Sequence, residues 1–248
     1  MPWRQTSDPY KIFISEIMLQ QTQVSRVIEK YKAFIHEFPS FQALNKASIA
    51  SVFSVWQGLG YNRRALHLKN AAKQIVTLHK GILPQTTEEL IALPGIGKAT
   101  AASIMAFAFN SPVVFIETNI RTVFIHFFFN DGRKVSDEEL LPIVNDCLYK
   151  KNPRKWYWAL MDFGTMLKKN GFDKNANSLN YVKQSRFEGS LRQKRGAILK
   201  QLSQGSKATV ESLSVALDYK EDIVNEIVDK LIAEGFLTIS RGIIKVKN

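Results

Sequence analysis

Two carboxylates and one glycine-bracketed turn carry the chemistry this sequence offers. Glu16 has Ile12, Phe13, Leu19 and Gln20 three and four positions away, and no Lys or Arg is spaced for a surface pair. A carboxyl in apolar surroundings has its pKa raised and stays protonated near neutrality, which a general acid needs. A buried glutamate bonded to a helix end fits the same surroundings. Glu117, in Phe115-Ile116-Glu117-Thr118-Asn119-Ile120, follows an extended apolar run and precedes a helix, where negative charge is favoured. An ordinary N-terminal helix carboxylate is the plain alternative. Its position twenty residues after Gly97 ties it to the turn Leu93-Pro94-Gly95-Ile96-Gly97-Lys98 and favours the functional reading. In that turn Ile96 can plug into the core while backbone N–H groups at the helix start face outward and grip a phosphate. Such a grip holds a polynucleotide without reading its sequence. A flexible helix connection is the alternative.

These residues need helices to position them. Asp8 reads as an N-cap with Pro9 at the first helical position. A second periodic stretch contains Val24, Val27, Ile28 and Tyr31. Further helices are expected over Phe41–Leu44, Ile49–Trp56, Ala65–Leu78, Thr86–Leu93, Lys98–Phe109, Ile120–Phe129, Asp137–Tyr149 and Arg154–Lys168. Lys168–Gly189 is polar and reads as a connector. Helices over Ser190–Leu202, Thr209–Leu217 and Lys220–Ala233 follow, then short strands at Phe236–Ile239 and Ile243–Val246 around the turn Arg241-Gly242. Three helices and a terminal hairpin form a winged-helix pattern, related to helix-turn-helix. The fold class is mainly α.

The 248 residues hold 34 Lys and Arg against 22 Asp and Glu, a net charge of +12. With a pI near 9.7 this is the footprint of a polyanion binder, nucleic acid first. From Arg186 onward there are 11 basic and 8 acidic residues, so most of the excess belongs to the larger part carrying the turn. Arg63-Arg64, just after Tyr61, are expected to contact phosphates rather than serve as solvated charge. Apolar residues at 45% suit a packed core, and no run of 18 apolar residues is present to span a membrane. The N-terminus lacks a signal-peptide pattern. One cysteine, Cys147, excludes a disulfide framework and an all-cysteine metal or iron–sulfur site, and points to an intracellular protein, cytoplasmic or nucleoid-associated. Cys147 is expected to be a small buried apolar residue. His126, among phenylalanines, reads as a satisfied core or edge histidine. His36, His67 and His79 have no ligand spacing, so no metal is expected.

Four segments occur together in order: Ser15-Glu16-Ile17-Met18-Leu19-Gln20-Gln21-Thr22, Trp56-Gln57-Gly58-Leu59-Gly60-Tyr61, the Leu93–Gly97 turn, and the Glu117 segment. In this the chain resembles the helix-hairpin-helix base-excision DNA glycosylases, most of all the A/G-specific adenine glycosylases of the MutY type, over about Pro2 to Phe187. The resemblance implies a two-lobed helix-hairpin-helix glycosylase fold, with a small C-terminal winged-helix-like domain added. The glycosylase domain would span 1–187, with a six-helix barrel lobe over about 10–115 and a second helical lobe from about 116 plus the N-terminal residues. The added domain would span 188–248. Glu16 matches the general acid that protonates the base. Glu117 matches the carboxylate that stabilises the sugar oxocarbenium ion. Gln21 and Tyr61 match residues that enter the duplex, and Gly95, Gly97 and Lys98 match the phosphate-gripping hairpin.

The chain departs from the family at four places. Glu117 stands where the family has Asp; one methylene moves the carboxylate by about 1 Å, a displacement that can cost about 100-fold in rate. Ala99 stands where bifunctional lyases have a Schiff-base lysine, which implies a monofunctional enzyme without lyase activity. The four cluster-cysteine positions fall on Lys168, Asn175, Ser178 and Gln184, none of which supplies a thiolate, so the iron–sulfur cluster is expected to be absent and no cofactor is implied. The connector would then dock through Tyr181 and Phe187. Finally, the winged-helix-like unit replaces the C-terminal domain that reads 8-oxoguanine. The family also carries a further helical turn or two before Pro2-Trp3-Arg4. The implied function is hydrolysis of the N-glycosidic bond of a mispaired base, preferably adenine opposite 8-oxoguanine or guanine. The alternatives are a thymine or uracil glycosylase for G:T and G:U pairs, and a non-catalytic DNA-binding module. The implied partner is double-stranded DNA with a mismatched or oxidised pair; no membrane is implied, and a monomer is expected.

Overall fold

The computed structural model describes residues 1–129, 131–173, 175–181, 186–203 and 206–247. In chain order the helices are α1 (Pro9–Leu19), α2 (Val24–Glu37), α3 (Phe41–Lys46), α4 (Ile49–Trp56), α5 (Arg63–Leu78), α6 (Thr87–Ile91), α7 (Lys98–Phe109), α8 (Thr118–Phe128), α9 (Asp137–Cys147), α10 (Pro153–Lys169), α11 (Leu191–Ser203), α12 (Val210–Leu217) and α13 (Glu221–Ala233). A two-stranded sheet, β1 (Leu237–Ser240) and β2 (Ile243–Val246), closes the chain. The chain forms two compact units: Met1–Pro2 with Ile17–Leu83 and Ser185–Asn248, and Trp3–Glu16 with Pro84–Gln184. Among the described residues no helix is long and apolar enough to cross a membrane.

In the first unit, α2 buries Val27, Tyr31 and Phe34 at the i, i+4, i+7 spacing of one helix face, leaving Arg26, Glu29 and Lys32 exposed. Phe34 meets Phe38 and Trp56 edge-on, with ring centroids 4.9 and 6.1 Å apart. Ser40 and Ser48 cap α3 and α4 by accepting the amides of Ala43 and Ser51. The C-terminal helices and hairpin pack into this same unit. Phe236 stacks on Phe53 at 5.1 Å, both buried, and Arg63 pairs with Glu234 at 3.1 Å. The strands pair antiparallel from Leu237 with Val246 to Ser240 with Ile243, as the alternating pattern predicts. Arg241 and Gly242 both take positive φ, the conformation a two-residue hairpin turn needs.

The second unit is built on α7. Residues Ala101–Ala108 are all buried, so this helix lies inside its unit instead of presenting one apolar stripe. α8 and α10 pack closely because Gly164 has no side chain: a Cβ there would lie 2.4 Å from the Asn119 carbonyl oxygen. Phe115 and Tyr157 rings lie 4.2 Å apart, and the Tyr157 hydroxyl donates to the Val113 carbonyl at 2.8 Å and accepts the Phe115 amide at 3.3 Å. The extended segment leading to Glu117 is thereby pinned.

The two units cut the chain differently from the lobes expected at about 115/116 and 187/188. The C-terminal segment shares a core with Ile17–Leu83, and the N-terminal residues through Glu16 belong with Pro84–Gln184. Local patterning reports which faces are apolar but not which distant apolar faces meet. The connector also docks differently. Tyr181 and Phe187 are exposed; Val135 donates to the Asn177 carbonyl and Leu179 donates to the Val135 carbonyl, both at 2.9 Å, beside buried Asn175 and Ser178, and Asn180 Oδ1 accepts the Asp137 amide at 3.0 Å. Cys147 is exposed instead of buried, at the last turn of an amphipathic helix that turns only Leu140 and Val144 inward.

Candidate active site

Glu16 and Glu117 both belong to the second unit. The Ser103 hydroxyl, on α7, lies 2.7 Å from Glu16 Oε2 and 3.0 Å from the Thr100 carbonyl. One hydroxyl proton cannot serve both acceptors. With Glu16 ionised, Ser103 donates to it; with Glu16 protonated, the carboxyl donates to Ser103 and Ser103 donates to Thr100. The site thus accommodates both states of an acid that gives up a proton. Burial pushes the Glu16 carboxyl from 4.5 up to about 7; the Ser103 bond opposes this, the charge of Glu117 adds to it, and Arg4 opposes it. A carboxyl near 7 is partly protonated at neutral pH. Nothing in the sequence singles out Ser103, one hydroxyl among the alanines of α7.

Glu117 is the N-cap of α8. Its Oε1 accepts the amides of Asn119 at 2.8 Å and Ile120 at 3.0 Å, and its Oε2 accepts the Asn119 side-chain amide at 3.3 Å. The longer glutamate side chain therefore satisfies the helix end as a shorter cap would. Its carboxylate is held in place by three donors.

In the Leu93–Lys98 turn, Ile96 is buried and its amide bonds to the Leu93 carbonyl at 3.2 Å. Gly95 has φ 78°, a conformation that disfavours any side chain. Gly97 caps α7 without offering a side-chain acceptor, unlike Thr86 on α6 and Ser136 on α9. A helix N-terminus carries partial positive charge, which favours an anion there. Lys98 and Ala99 are exposed.

Gln21, Tyr61, Arg63 and Arg64 lie in the first unit. Gln21 and Tyr61 have φ of 53° and 46°, left-handed conformations that cost such side chains on the order of 1–3 kcal/mol and persist only where the surroundings enforce them. Arg64 is the enforcing group, and this corrects its expected contact with phosphate. It is buried. Its Nη1 lies 2.9, 2.8 and 2.6 Å from the carbonyls of Ile17, Met18 and Gln20, and its Nη2 donates to Thr22 Oγ1 at 2.8 Å and reaches the Gly60 carbonyl at 3.3 Å. The guanidinium thus caps the last turn of α1 and ties the Gln21 turn to the Tyr61 turn. Burial lowers its pKa to about 10, which leaves it charged at neutrality. Arg63 is exposed but paired with Glu234. Arg192 of α11 donates to the Tyr61 hydroxyl at 2.8 Å, so the Tyr61 ring lies near two guanidinium groups. No local signal in the sequence marks Arg192 as Tyr61's partner.

The positions matching the family's cluster ligands do not fit an iron–sulfur cluster. Lys168 is an amine bonded to Asn119, Asn175 is bonded to Asp173, and the Ser178 hydroxyl accepts the Asn180 amide. Gln184 lies outside the described residues. Among the described residues no group of three His, Cys, Asp or Glu is placed to hold a metal. His126 packs against Phe172, and its Nδ1 is buried without a hydrogen-bond partner, so it is an edge histidine but not a satisfied one.

Residues 14–144 match the HhH-GPD superfamily of base excision DNA repair proteins. The adenine DNA glycosylase of Buchnera aphidicola subsp. Baizongia pistaciae is 38% identical over 168 residues, covering 67% of this chain and 48% of that protein. This chain spans about half the length of the curated relatives it matches. Among solved structures, a thermostable thymine-DNA glycosylase aligns with TM-score 0.59 and 26% identity over 67% of this chain and 78% of its own. A trapped endonuclease III–DNA covalent intermediate aligns with TM-score 0.52 and 17% identity over 64% and 73%, a likeness of fold. The match spans Glu16, the glycine turn and Glu117 in one stretch, and the chain belongs to the HhH-GPD superfamily of base excision DNA repair proteins.

Proposed function

We propose that this chain is a monofunctional DNA glycosylase of base excision repair that releases adenine mispaired with 8-oxoguanine or guanine. The observation that carries the reading is Glu16, a carboxyl near pKa 7 held by a reversible Ser103 partner, in one unit with the capped carboxylate Glu117. A base inside a duplex stack is out of reach, so it is flipped out, and Gln21 and Tyr61 fill the space it leaves. The Leu93–Lys98 turn grips backbone phosphate through its amides. Protonated Glu16 passes its proton to the base and makes it a better leaving group. As the glycosidic bond breaks, the sugar gains positive charge, and fixed Glu117 stabilises it. Water attacks and an abasic site remains. Ala99 supplies no amine at the hairpin position, so the strand stays intact. The chain acts without an iron–sulfur cluster and as a monomer.

The names of the relatives support adenine as the base. The likeness to a thymine-DNA glycosylase supports a second reading, thymine or uracil opposite guanine. Duplexes carrying A:8-oxoG, A:G, T:G and U:G, followed by alkaline cleavage, separate the two. Release of adenine is expected; release of thymine or uracil alone replaces the first reading with the second, and no release from any duplex removes both. A strand break without alkali contradicts the monofunctional assignment.

A further inference from the structure

Behind Glu117 stands a group that the mechanism above leaves unused. Gly164 lets α10 lie against the first turn of α8, since any side chain there would strike the Asn119 backbone. Lys168 follows one turn later on the same face of α10. Its Nζ donates to Asn119 Oδ1 at 2.9 Å. An ammonium only donates, so it dictates which end of the Asn119 amide faces it. The oxygen turns toward Lys168, and the NH2 therefore turns toward Glu117, where it donates to Oε2 at 3.3 Å. With the amide reversed, a carbonyl oxygen would face the carboxylate and repel it. The charged groups that act on Lys168 are Glu117, Asp173 and Arg121, and burial lowers its pKa most.

We propose that Lys168 is a positioning residue for Glu117: it locks the Asn119 amide in the orientation that holds the carboxylate. The proposal rests on the reading of Glu117 as the group that stabilises the sugar cation. Lys168→Met should lower single-turnover base release by about 10- to 100-fold, the scale of a misplaced catalytic group. Affinity for the mismatched duplex should stay within about twofold, which a general loss of structure would not allow. Lys168→Arg, which like lysine only donates, should recover most of the rate. Added to Asn119→Ala, Lys168→Met should cost nothing further. An unchanged rate in Lys168→Met, an Arg variant as slow as the Met variant, or an additive loss in the double variant each overturns the proposal. The Asn119 side-chain amide, followed by NMR, tests the lock without any reaction. Its protons should be protected from solvent exchange in the wild type and lose that protection in Lys168→Met. Equal protection overturns the proposal even if the wild type releases no base, a result that would separately remove the glycosylase reading.

Discussion

The two units divide the labour unequally. The unit with Ile17–Leu83 and the C-terminal segment holds 20 Lys and Arg against 10 Asp and Glu, whereas the unit with Glu16, Glu117 and the glycine turn holds 14 against 12. Counted along the chain, the charge excess lies in the part bearing the turn; counted by compact unit, most of it lies in the other one. The unit with the carboxylates relies on burial, which raises the Glu16 carboxyl to about 7 against the opposing Ser103 bond and Arg4. The basic unit instead uses a cation for architecture, since Arg64 lies buried beneath the two strained turns.

The largest effects are expected at the two carboxylates. Glu16→Gln and Glu117→Gln should each reduce base release by about 10²- to 10⁴-fold in single-turnover assays, with duplex affinity nearly unchanged. Release within tenfold of the wild type would take the chemistry out of this unit.

Next in size is the contrast between adjacent arginines. Arg64→Met leaves several carbonyls of α1 and the Gln21 and Tyr61 turns without their donor, and should cost on the order of 3 kcal/mol, a fall of roughly 10 °C in Tm. Arg63→Met removes one exposed pair and should cost less than about 1 kcal/mol. Equal Tm values for the two variants would refute the clamp.

The pH response is smaller. The Glu16 carboxyl titrates near 4.5 when unfolded and about 7 when folded. Between these values the folded chain binds more protons, so this contribution to stability is full below 4.5 and is lost as pH rises through 7. Urea unfolding should show a decline on the order of 2 kcal/mol across this range that Glu16→Gln lacks. Base release should fall over the same upper limb, and a rate flat from pH 6 to 9 would exclude Glu16 as the acid. Smallest, Arg192→Leu frees the Tyr61 hydroxyl and should weaken duplex binding by about fivefold, the worth of one hydrogen bond. No change would confine α11 to a structural role.

Helix positions were legible because capping and periodicity are local. Asp8-Pro9, Gly97 before α7 and Arg241-Gly242 all mark their elements in the chain itself. The raised pKa of Glu16 was legible too, since its helix neighbours are apolar. Ser103, Arg192 and the Lys168–Asn119 link were not, because each joins residues far apart in the chain through a side chain that looks ordinary where it stands. Arg64 was misread for the same reason: beside Tyr61 on a basic chain it looks like a phosphate ligand, and only its position under two turns makes it a clamp.

The helical elements, the glycine turn, the two carboxylates and the lack of thiolates for a cluster follow from residue type and local spacing alone. Which partners those groups receive, which of two neighbouring arginines is buried, and that the C-terminal segment shares a core with Ile17–Leu83 emerge only from packing. These depend on apolar faces and hydrogen-bonding groups meeting across long stretches of chain, and burial, which sets both the pKa of Glu16 and the role of Arg64, exists only once they have met.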